Sequence, residues 1–435
     1  MSIGMSHPLK RVSLGGEVHF NSISDPKFKL NRLAVYCILP LREETASENA
    51  VLPFLLRKGS KNIPDFTALN ATLNDLYGAT LGGDVGKFNG YQMINLSIAS
   101  VDNRFALDGE DITARCAALL SDLLLDPNLD ADGAFPATDV ELERQYLIDS
   151  IEAEINDKRS YAVTRCVEVM CEGEPVAVNR YGDVERAAAI TPSSAGKAWR
   201  RMIETAVVEI FFTGSGSPDS ALETFRSRFA SPRRNPVDFA ILPMKEVAES
   251  VRELEERMEL TQAKLVMGLR VKGLDSMEKK SAARIFSALY GGTTFSKLFL
   301  NVREKLSLCY YCGAQMDVVN RMMLINSGIE AANRDKAEAE ILHQLELVQQ
   351  GDFIDEELQN TKLVVEGGLN TVGDSLSGLE SWYLSQTLRG QELTPAEDIE
   401  SLRAVTREQV IEAAKSVSLD TVYFLTGNDD EKEEA

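Results

Sequence analysis

An internal repeat with a constant offset is the feature of this 435-residue chain that most constrains its fold. Leu76-Tyr77-Gly78 recurs 213 residues later as Leu289-Tyr290-Gly291. Thr213-Gly214, which ends the apolar run VVEIFFTG, recurs at the same offset as Thr426-Gly427, which ends TVYFLTG. Two separated matches with one offset indicate a duplicated domain, so the chain is expected to fold as two similar units.

Both halves also contain the same order of predicted elements: a strand, a helix that ends near the Leu-Tyr-Gly motif, an alternating strand, a long acidic helix and a final apolar strand. Strands are predicted at 33–41, 93–100, 264–271 and 322–329, and long helices at 139–158 and 335–350. In the first of these helices, Ile148, Ile151 and Ile155 have the spacing of a buried face. The pattern predicts an α+β fold of two tandem homologous α/β-sandwich domains, each an antiparallel-rich sheet with helices packed on it.

The stretch FASPRRNPVD separates the two halves, because its prolines interrupt both the helical and the strand pattern. We predict an N-terminal domain at 1–230, a linker at 231–245 and a C-terminal domain at 246–428. The remaining residues, 429–435, are predicted to form an acidic tail in solvent.

The composition limits the partners and the compartment. A net charge of −21 argues against nucleic acid or an anionic membrane as the main partner, since both repel an acidic surface. The chain has no apolar run long enough to span a membrane, and its N-terminal stretch lacks the apolar core of a signal peptide. Six scattered cysteines are typical of reduced thiols, so we expect a cytoplasmic protein.

Segments along most of the chain resemble the insulinase-like (pitrilysin) zinc metallopeptidase family. In order, they are LLRKGS, LNDLYGATLGGDV, ELERQYLIDSIEAEI, QAKLVMGLR, LYGGTTFSKLFLNVREKLSLCYY and TVYFLTG. The resemblance implies tandem α+β domains that form half of a clamshell. The stretch FKLNRLAVYCILPLREETASENAVLPFLL is similar to a non-catalytic bacterial branch of the family, which is associated with aminopentanol modification of elongation factor P.

The zinc motif of that family is degenerate here. Catalytic members carry His-x-x-Glu-His before a lysine-glycine turn, so that two imidazoles hold Zn²⁺ and the glutamate activates water. Alignment on Lys58-Gly59-Ser60 places Ala50, Pro53 and Phe54 at these positions. None of these side chains binds zinc or takes a proton, and His-x-x-Glu-His occurs nowhere in the sequence.

The third zinc ligand of the family is a glutamate seven residues beyond the one that Glu143 matches. That position is Ser150 in this chain. The resemblance therefore implies that the chain has no metal site or other cofactor of its own, and that zinc is expected only in a partner subunit.

An arginine–tyrosine pair of the family is retained as Arg303 and Tyr310, seven residues apart. In catalytic dimers this pair reaches substrate at the zinc of the other subunit, and both groups are donors suited to a peptide carbonyl or an oxyanion. The preceding loop, Gly291-Gly292-Thr293, is a candidate for substrate contact. In the simpler alternative, Arg303 is a surface charge on a helix and Tyr310 is a core residue on a strand.

Together these residues favour a pseudopeptidase, the non-catalytic subunit of a heterodimeric insulinase-like metallopeptidase. It would bind a peptide or unfolded polypeptide and contribute Arg303 and Tyr310 to a zinc-bearing paralogue. An alternative is a stand-alone peptide-binding or scaffold protein, without peptidase activity, in a translation-factor modification pathway. A third hypothesis, an enzyme with a cysteine nucleophile, requires an activating neighbour, and the chain has only three histidines.

Cys309 and Cys312 form a Cys-x-x-Cys motif in the stretch LCYYCGA. If this stretch is a regular strand, positions i and i+3 point to opposite faces. We therefore expect the two thiols to be separated and to serve core packing rather than redox chemistry or chelation.

Overall fold

The computed structural model describes residues 8–231 and 233–428. The predicted acidic tail at 429–435 lies outside these residues. Among the described residues, no helix is long and apolar enough to cross a membrane.

The secondary structure alternates between strands and helices along the chain. The strands are β1 (Lys10–Gly15), β2 (Val18–Ser24), β3 (Leu30–Pro40), β4 (Thr80–Phe88), β5 (Tyr91–Val101), β6 (Val207–Gly214), β7 (Arg252–Arg257), β8 (Ala263–Val271), β9 (Cys309–Asp317), β10 (Met322–Ile329) and β11 (Val417–Thr426). The α-helices are α1 (Glu43–Ala50), α2 (Leu52–Leu56), α3 (Phe66–Asp75), α4 (Ile112–Leu125), α5 (Ala137–Ala153), α6 (Lys158–Met170), α7 (Val184–Ala188), α8 (Pro192–Thr205), α9 (Asp219–Phe229), α10 (Met277–Ser287), α11 (Arg334–Gln350), α12 (Asp355–Asn370), α13 (Leu376–Leu388), α14 (Pro395–Arg403) and α15 (Arg407–Lys415). Two π-helical segments, Ala288–Gly292 and Leu298–Lys305, precede β9.

The described residues divide into two compact units. Unit 1 contains the residues up to Glu152 together with 178–241 and 372–394. Unit 2 contains 153–177, 242–371 and the residues from Pro395 onward. Each unit therefore includes a segment from the other half of the sequence, since α6 belongs to unit 2 and α13 belongs to unit 1.

The sheets of the two units share one topology. Sheet 1 has the order β1-β2-β6-β3-β5-β4, and sheet 2 has the order β7-β11-β8-β10-β9. In each sheet, one parallel pair (β2 with β6, β7 with β11) stands beside antiparallel neighbours. Apart from β1, the order in sheet 2 repeats that in sheet 1, so the predicted α+β fold with two similar halves is confirmed.

The predicted strands and the helix at 335–350 are confirmed. The buried face predicted for the helix at 139–158 is wrong. The helix predicted at 139–158 ends at Ala153, and a new helix begins at Lys158, because the Asp157 carboxylate accepts hydrogen bonds from the first backbone N–H groups of α6. On α5 the buried side chains are Val140, Glu143 and Leu147. The predicted face is therefore displaced, with Ile148 and Ile151 only partly buried and Ile155 exposed.

Helix α13 is fixed on sheet 1 by a buried carboxylate. Glu380 accepts a hydrogen bond from Arg32 Nε at 2.9 Å and from the Tyr36 hydroxyl at 2.6 Å. Burial raises the pKa of Glu380, although both donors stabilise its charged form. The opposite face of β3, including Leu33, packs into the main core of unit 1, so β3 is buried on both sides.

Helix α6 is fixed on sheet 2 in the same manner. Glu256 of β7 accepts hydrogen bonds from Arg165 Nη2 at 2.8 Å and from the Tyr423 hydroxyl at 2.8 Å. Arg270, which is fully buried, donates to the backbone oxygen of Met170 at the end of α6. Its Nε also donates to Asp420 at 3.0 Å. Charged groups without access to water have to be paired in this way.

We expect Arg270→Ala to lower the free energy of unfolding by about 3–5 kcal/mol, since it leaves the Asp420 carboxylate buried without its main cation. Urea unfolding followed by far-UV circular dichroism measures the change. Arg257→Ala is the matched control, because Arg257 forms an exposed pair with Glu255 that is worth about 0–1 kcal/mol. Equal losses in the two variants would show that the buried cluster does not hold α6.

Candidate functional site

The positions aligned with the zinc motif lie in unit 1, at the junction of α1 and α2. Ala50 is the fully buried last residue of α1, and Pro53 is buried in the first turn of α2, where its missing N–H is tolerated. Phe54 is 8% exposed, and its ring packs edge-on against Tyr146 of α5 at 5.4 Å. The guanidinium of Arg57 lies over the Phe54 ring, 5.4 Å from its centroid. An aromatic contact therefore occupies this position.

The helix that carries the third ligand in catalytic relatives offers no free carboxylate at the matched positions. Glu143 is buried and forms an ion pair with Lys58 Nζ at 2.5 Å. The Ser150 hydroxyl is exposed and donates to the backbone oxygen of Tyr146 at 2.7 Å. In residues 8–231 and 233–428, no cluster of three or more His, Cys, Asp or Glu side chains is arranged to hold a metal ion.

Arg303 and Tyr310 lie in unit 2 and reach solvent. Arg303 is in the second π-helical segment, and its guanidinium stacks 4.6 Å from the centroid of Phe299. Its side chain is 40% exposed. Tyr310 is 58% exposed, and its hydroxyl has one long hydrogen bond, at 3.5 Å, to Glu330. The alternative in which Tyr310 is a core residue is therefore wrong.

A bulge in β9 explains the exposure of Tyr310. In the pairing of β9 with β10, Gly328 is opposite Tyr311, but the following residue, Ile329, is opposite Cys309 instead of Tyr310. Tyr310 is the extra residue, so the side-chain alternation is shifted by one position. The prediction that Cys309 and Cys312 point to opposite faces is wrong for this reason: both are buried on one face.

Strand β9 is an edge strand, and a groove of about 520 Å³ lies along it. Gly291 and Gly292 of the predicted substrate loop line this groove, whereas Thr293 follows them without being part of the lining. A Cβ atom on Gly291 would lie 2.5 Å from the backbone nitrogen of Ala314, so glycine is required for the π-helical segment to approach β9. The other lining residues are Arg159, Val163, Arg284, Ser287, Ala288, Gly313, Ala314, Gln315, Met316, Leu324, Asn326 and Val365.

Two residues of this region were not identified from the sequence. The guanidinium of Arg159, which lines the groove, lies 4.1 Å from the ring centroid of Tyr311. Burial raises the pKa of Tyr311 to about 12, so its hydroxyl is a donor at neutral pH. The two positions are 152 residues apart, and no motif marks either of them, so the sequence carries no signal of their contact.

Comparison with known proteins agrees with this geometry. Residues 190–364 match the family described as Peptidase M16 inactive domain. The chain is 27% identical over 428 residues to the probable inactive metalloprotease YmfF of Bacillus subtilis (strain 168), covering 98% of this chain and 99% of that protein.

Two solved structures have the same fold over nearly the whole chain. A conserved protein from Enterococcus faecalis V583 is 28% identical with a TM-score of 0.89, and the match covers 97% of this chain and 99% of the other. A peptidase M16 inactive domain from Pseudomonas fluorescens is 17% identical with a TM-score of 0.78, covering 97% and 98% of the two chains. At the lower identity, the likeness shows a shared fold only.

We expect Phe54→Ala to lower the free energy of unfolding by about 3–5 kcal/mol, because Phe54 is a buried aromatic residue and its removal leaves a cavity beside Tyr146. Chemical denaturation measures the change. Phe66→Ala is the matched control, since Phe66 is exposed at the start of α3 and its loss changes stability by about 0.5 kcal/mol or less. An unchanged free energy of unfolding in Phe54→Ala would contradict a structural role for this position.

Proposed function

We propose that this chain, an insulinase-like protein with a peptidase M16 inactive domain, is the non-catalytic subunit of a heterodimeric metallopeptidase. It binds a peptide or unfolded polypeptide and presents Arg303 and Tyr310 to substrate held at the zinc of a paralogous partner. One observation carries the proposal: Phe54, at an aligned zinc position, is buried against Tyr146, whereas the side chains of Arg303 and Tyr310 are exposed.

The chemistry of the pair supports a role in the transition state. During peptide hydrolysis the attacked carbonyl oxygen gains negative charge, and donors aimed at that oxygen lower the barrier. A guanidinium supplies a fixed positive charge with several N–H groups, and a phenol supplies one O–H group. Because the side chains of Arg303 and Tyr310 are exposed, a substrate on another subunit has access to both.

The groove along β9 supports peptide binding in the same unit. The backbone N–H and C=O groups on the outer side of an edge strand are available to an extended peptide. Three of the residues that line the groove, Gly291, Gly292 and Gly313, have no side chain that would obstruct a bound peptide. Tyr310 is the extra residue near one end of the strand, so a peptide bound along β9 runs close to its hydroxyl.

The requirement for a partner follows from the missing zinc centre. Without two imidazoles and a free carboxylate, the chain cannot activate water as a zinc peptidase does. The partner implied by the family is a zinc-bearing insulinase-like paralogue. The predicted domain boundaries belong to the same proposal. They put the positions aligned with the zinc motif in the N-terminal domain, and Arg303 and Tyr310 in the C-terminal domain.

Metal analysis and a peptidase assay separate this proposal from a stand-alone peptide-binding or scaffold protein. We expect the purified chain to contain no stoichiometric zinc and to cleave no peptide. Mixing it with a zinc-bearing paralogue from the same genome should then give cleavage. Peptide binding by the chain alone, with no association and no effect on any paralogue, would instead favour the scaffold.

In the mixed complex, we expect Arg303→Ala to lower kcat by about 100-fold, since removal of one oxyanion donor has an effect of this order. Tyr310→Phe, which removes only the hydroxyl, should lower kcat with little change in KM. Lys305→Ala is the matched control, because it removes a charge from the same π-helical segment. Size-exclusion chromatography checks that each variant still assembles, and unchanged turnover in Arg303→Ala would refute the catalytic contribution.

A further inference from the structure

We propose that Cys309 and Cys312 form a reversible dithiol–disulfide pair, which a peroxide or a small-molecule disulfide oxidises. The pair encloses Tyr310 in the bulge of β9. The proposal concerns the thiols alone, and it stands whether or not the chain has a peptidase partner.

The register of β9 brings the two cysteines together. Cys312 is opposite Ser327, and Cys309 is opposite Ile329, so their partners on β10 are only two residues apart. Two residues of a strand span about 6.7 Å, whereas three would span about 10 Å. A disulfide needs a Cα separation of about 4.4–6.8 Å, so the bulge converts a forbidden spacing into one at the edge of the permitted range.

The two thiols have the same surroundings. Both side chains are buried on one face of β9, and Ser327 lies opposite Cys312 on β10. Exposures of 9% and 6% make Cys309 the more accessible of the two. A shared face, a close register and burial from solvent are the features of a pair that reacts internally rather than with other chains.

The two thiols differ in acidity, which assigns their roles. The neighbouring Cys312 thiol lowers the pKa of Cys309 more than burial raises it, and the positive charge of Arg303 acts in the same direction. The neighbouring Cys309 thiol and burial together raise the pKa of Cys312. Cys309 is therefore the thiolate that attacks the oxidant, and Cys312 is the resolving thiol.

The reaction balances with a named oxidant. The Cys309 thiolate attacks hydrogen peroxide, the O–O bond breaks, a sulfenic acid forms and hydroxide leaves. The hydroxide takes up the proton that the Cys309 thiol released on ionising and becomes the first water. The Cys312 sulfur then attacks the Cys309 sulfur, the S–O bond breaks and the second water leaves with the thiol proton. The two sulfurs lose two electrons in total, peroxide gains them, and an external thiol reverses the step.

The remaining cysteines provide an internal contrast. Burial raises the pKa of Cys37 to about 12, and it also raises the pKa of Cys116 and Cys166. Cys171 is fully buried as well. Fully buried thiols with raised pKa values react slowly, so oxidation is expected only at the β9 pair.

The test uses the full-length reduced chain, treated with hydrogen peroxide, then denatured, alkylated and digested for mass spectrometry. We expect the peptide that contains both β9 cysteines to lose two hydrogen atoms and both alkylation sites together, while the other four cysteines remain fully alkylated. Dithiothreitol should restore both sites. A uniform loss across all six cysteines, or no loss at the β9 pair, would overturn the proposal.

Two variants make the result specific. In Cys312→Ser, peroxide should leave Cys309 as a sulfenic acid that dimedone traps, because no resolving thiol is present. In Cys309→Ser, Cys312 should resist both peroxide and dimedone. Cys171→Ser is the matched control and should oxidise like the unaltered chain. Equal trapping at Cys309 and Cys312 in the single variants would refute the assigned roles, and circular dichroism confirms that each variant is folded.

Discussion

Buried carboxylate–arginine hydrogen bonding is the interaction on which the rest of this structure depends. In unit 1, Glu380 with Arg32 joins α13, from the second half of the sequence, to sheet 1. In unit 2, Arg270 is paired with Asp420 between two strands of sheet 2 and also donates to the backbone oxygen of Met170 at the end of α6, which comes from the first half. Apolar packing is not directional, so many different helices could cover the same sheet. A buried ion pair, by contrast, is stable only with a particular partner in a particular geometry. These pairs therefore specify which helix covers which sheet.

The duplicated framework allows the two units to differ in function without differing in fold. In unit 1 the aligned zinc positions have become part of the core through the Phe54–Tyr146 contact and the Lys58–Glu143 pair. In unit 2 a groove lies along β9, and Tyr310 is the exposed extra residue of a bulge in that strand. The two units therefore share a topology but differ in how these positions are packed.

The sequence predicted those parts of the structure that depend on local pattern. The repeat, the alternation in β5 and the apolar composition of β8 were sufficient for the fold, because strand and helix periodicities are local properties. The degenerate zinc motif was visible only through the resemblance to the insulinase-like family, which placed Ala50, Pro53 and Phe54 at the aligned positions. By contrast, the pairing of Lys58 with Glu143 joins residues that are distant in the sequence, and no motif marks it. The bulge in β9 was missed because a strand with one extra residue has the composition of a regular strand.

The reciprocal use of α6 and α13 has a consequence for biosynthesis. Sheet 1 is complete in its strands once β6 has been made, yet the helix that covers one of its faces lies at 376–388, near the end of the chain. Since chains are synthesised from the N-terminus, the apolar side chains beneath α13 stay accessible while most of the second half is translated. The nascent chain is thus vulnerable to aggregation late in synthesis. Each compact unit is complete only when both halves of the sequence are present, because each includes a helix from the other half.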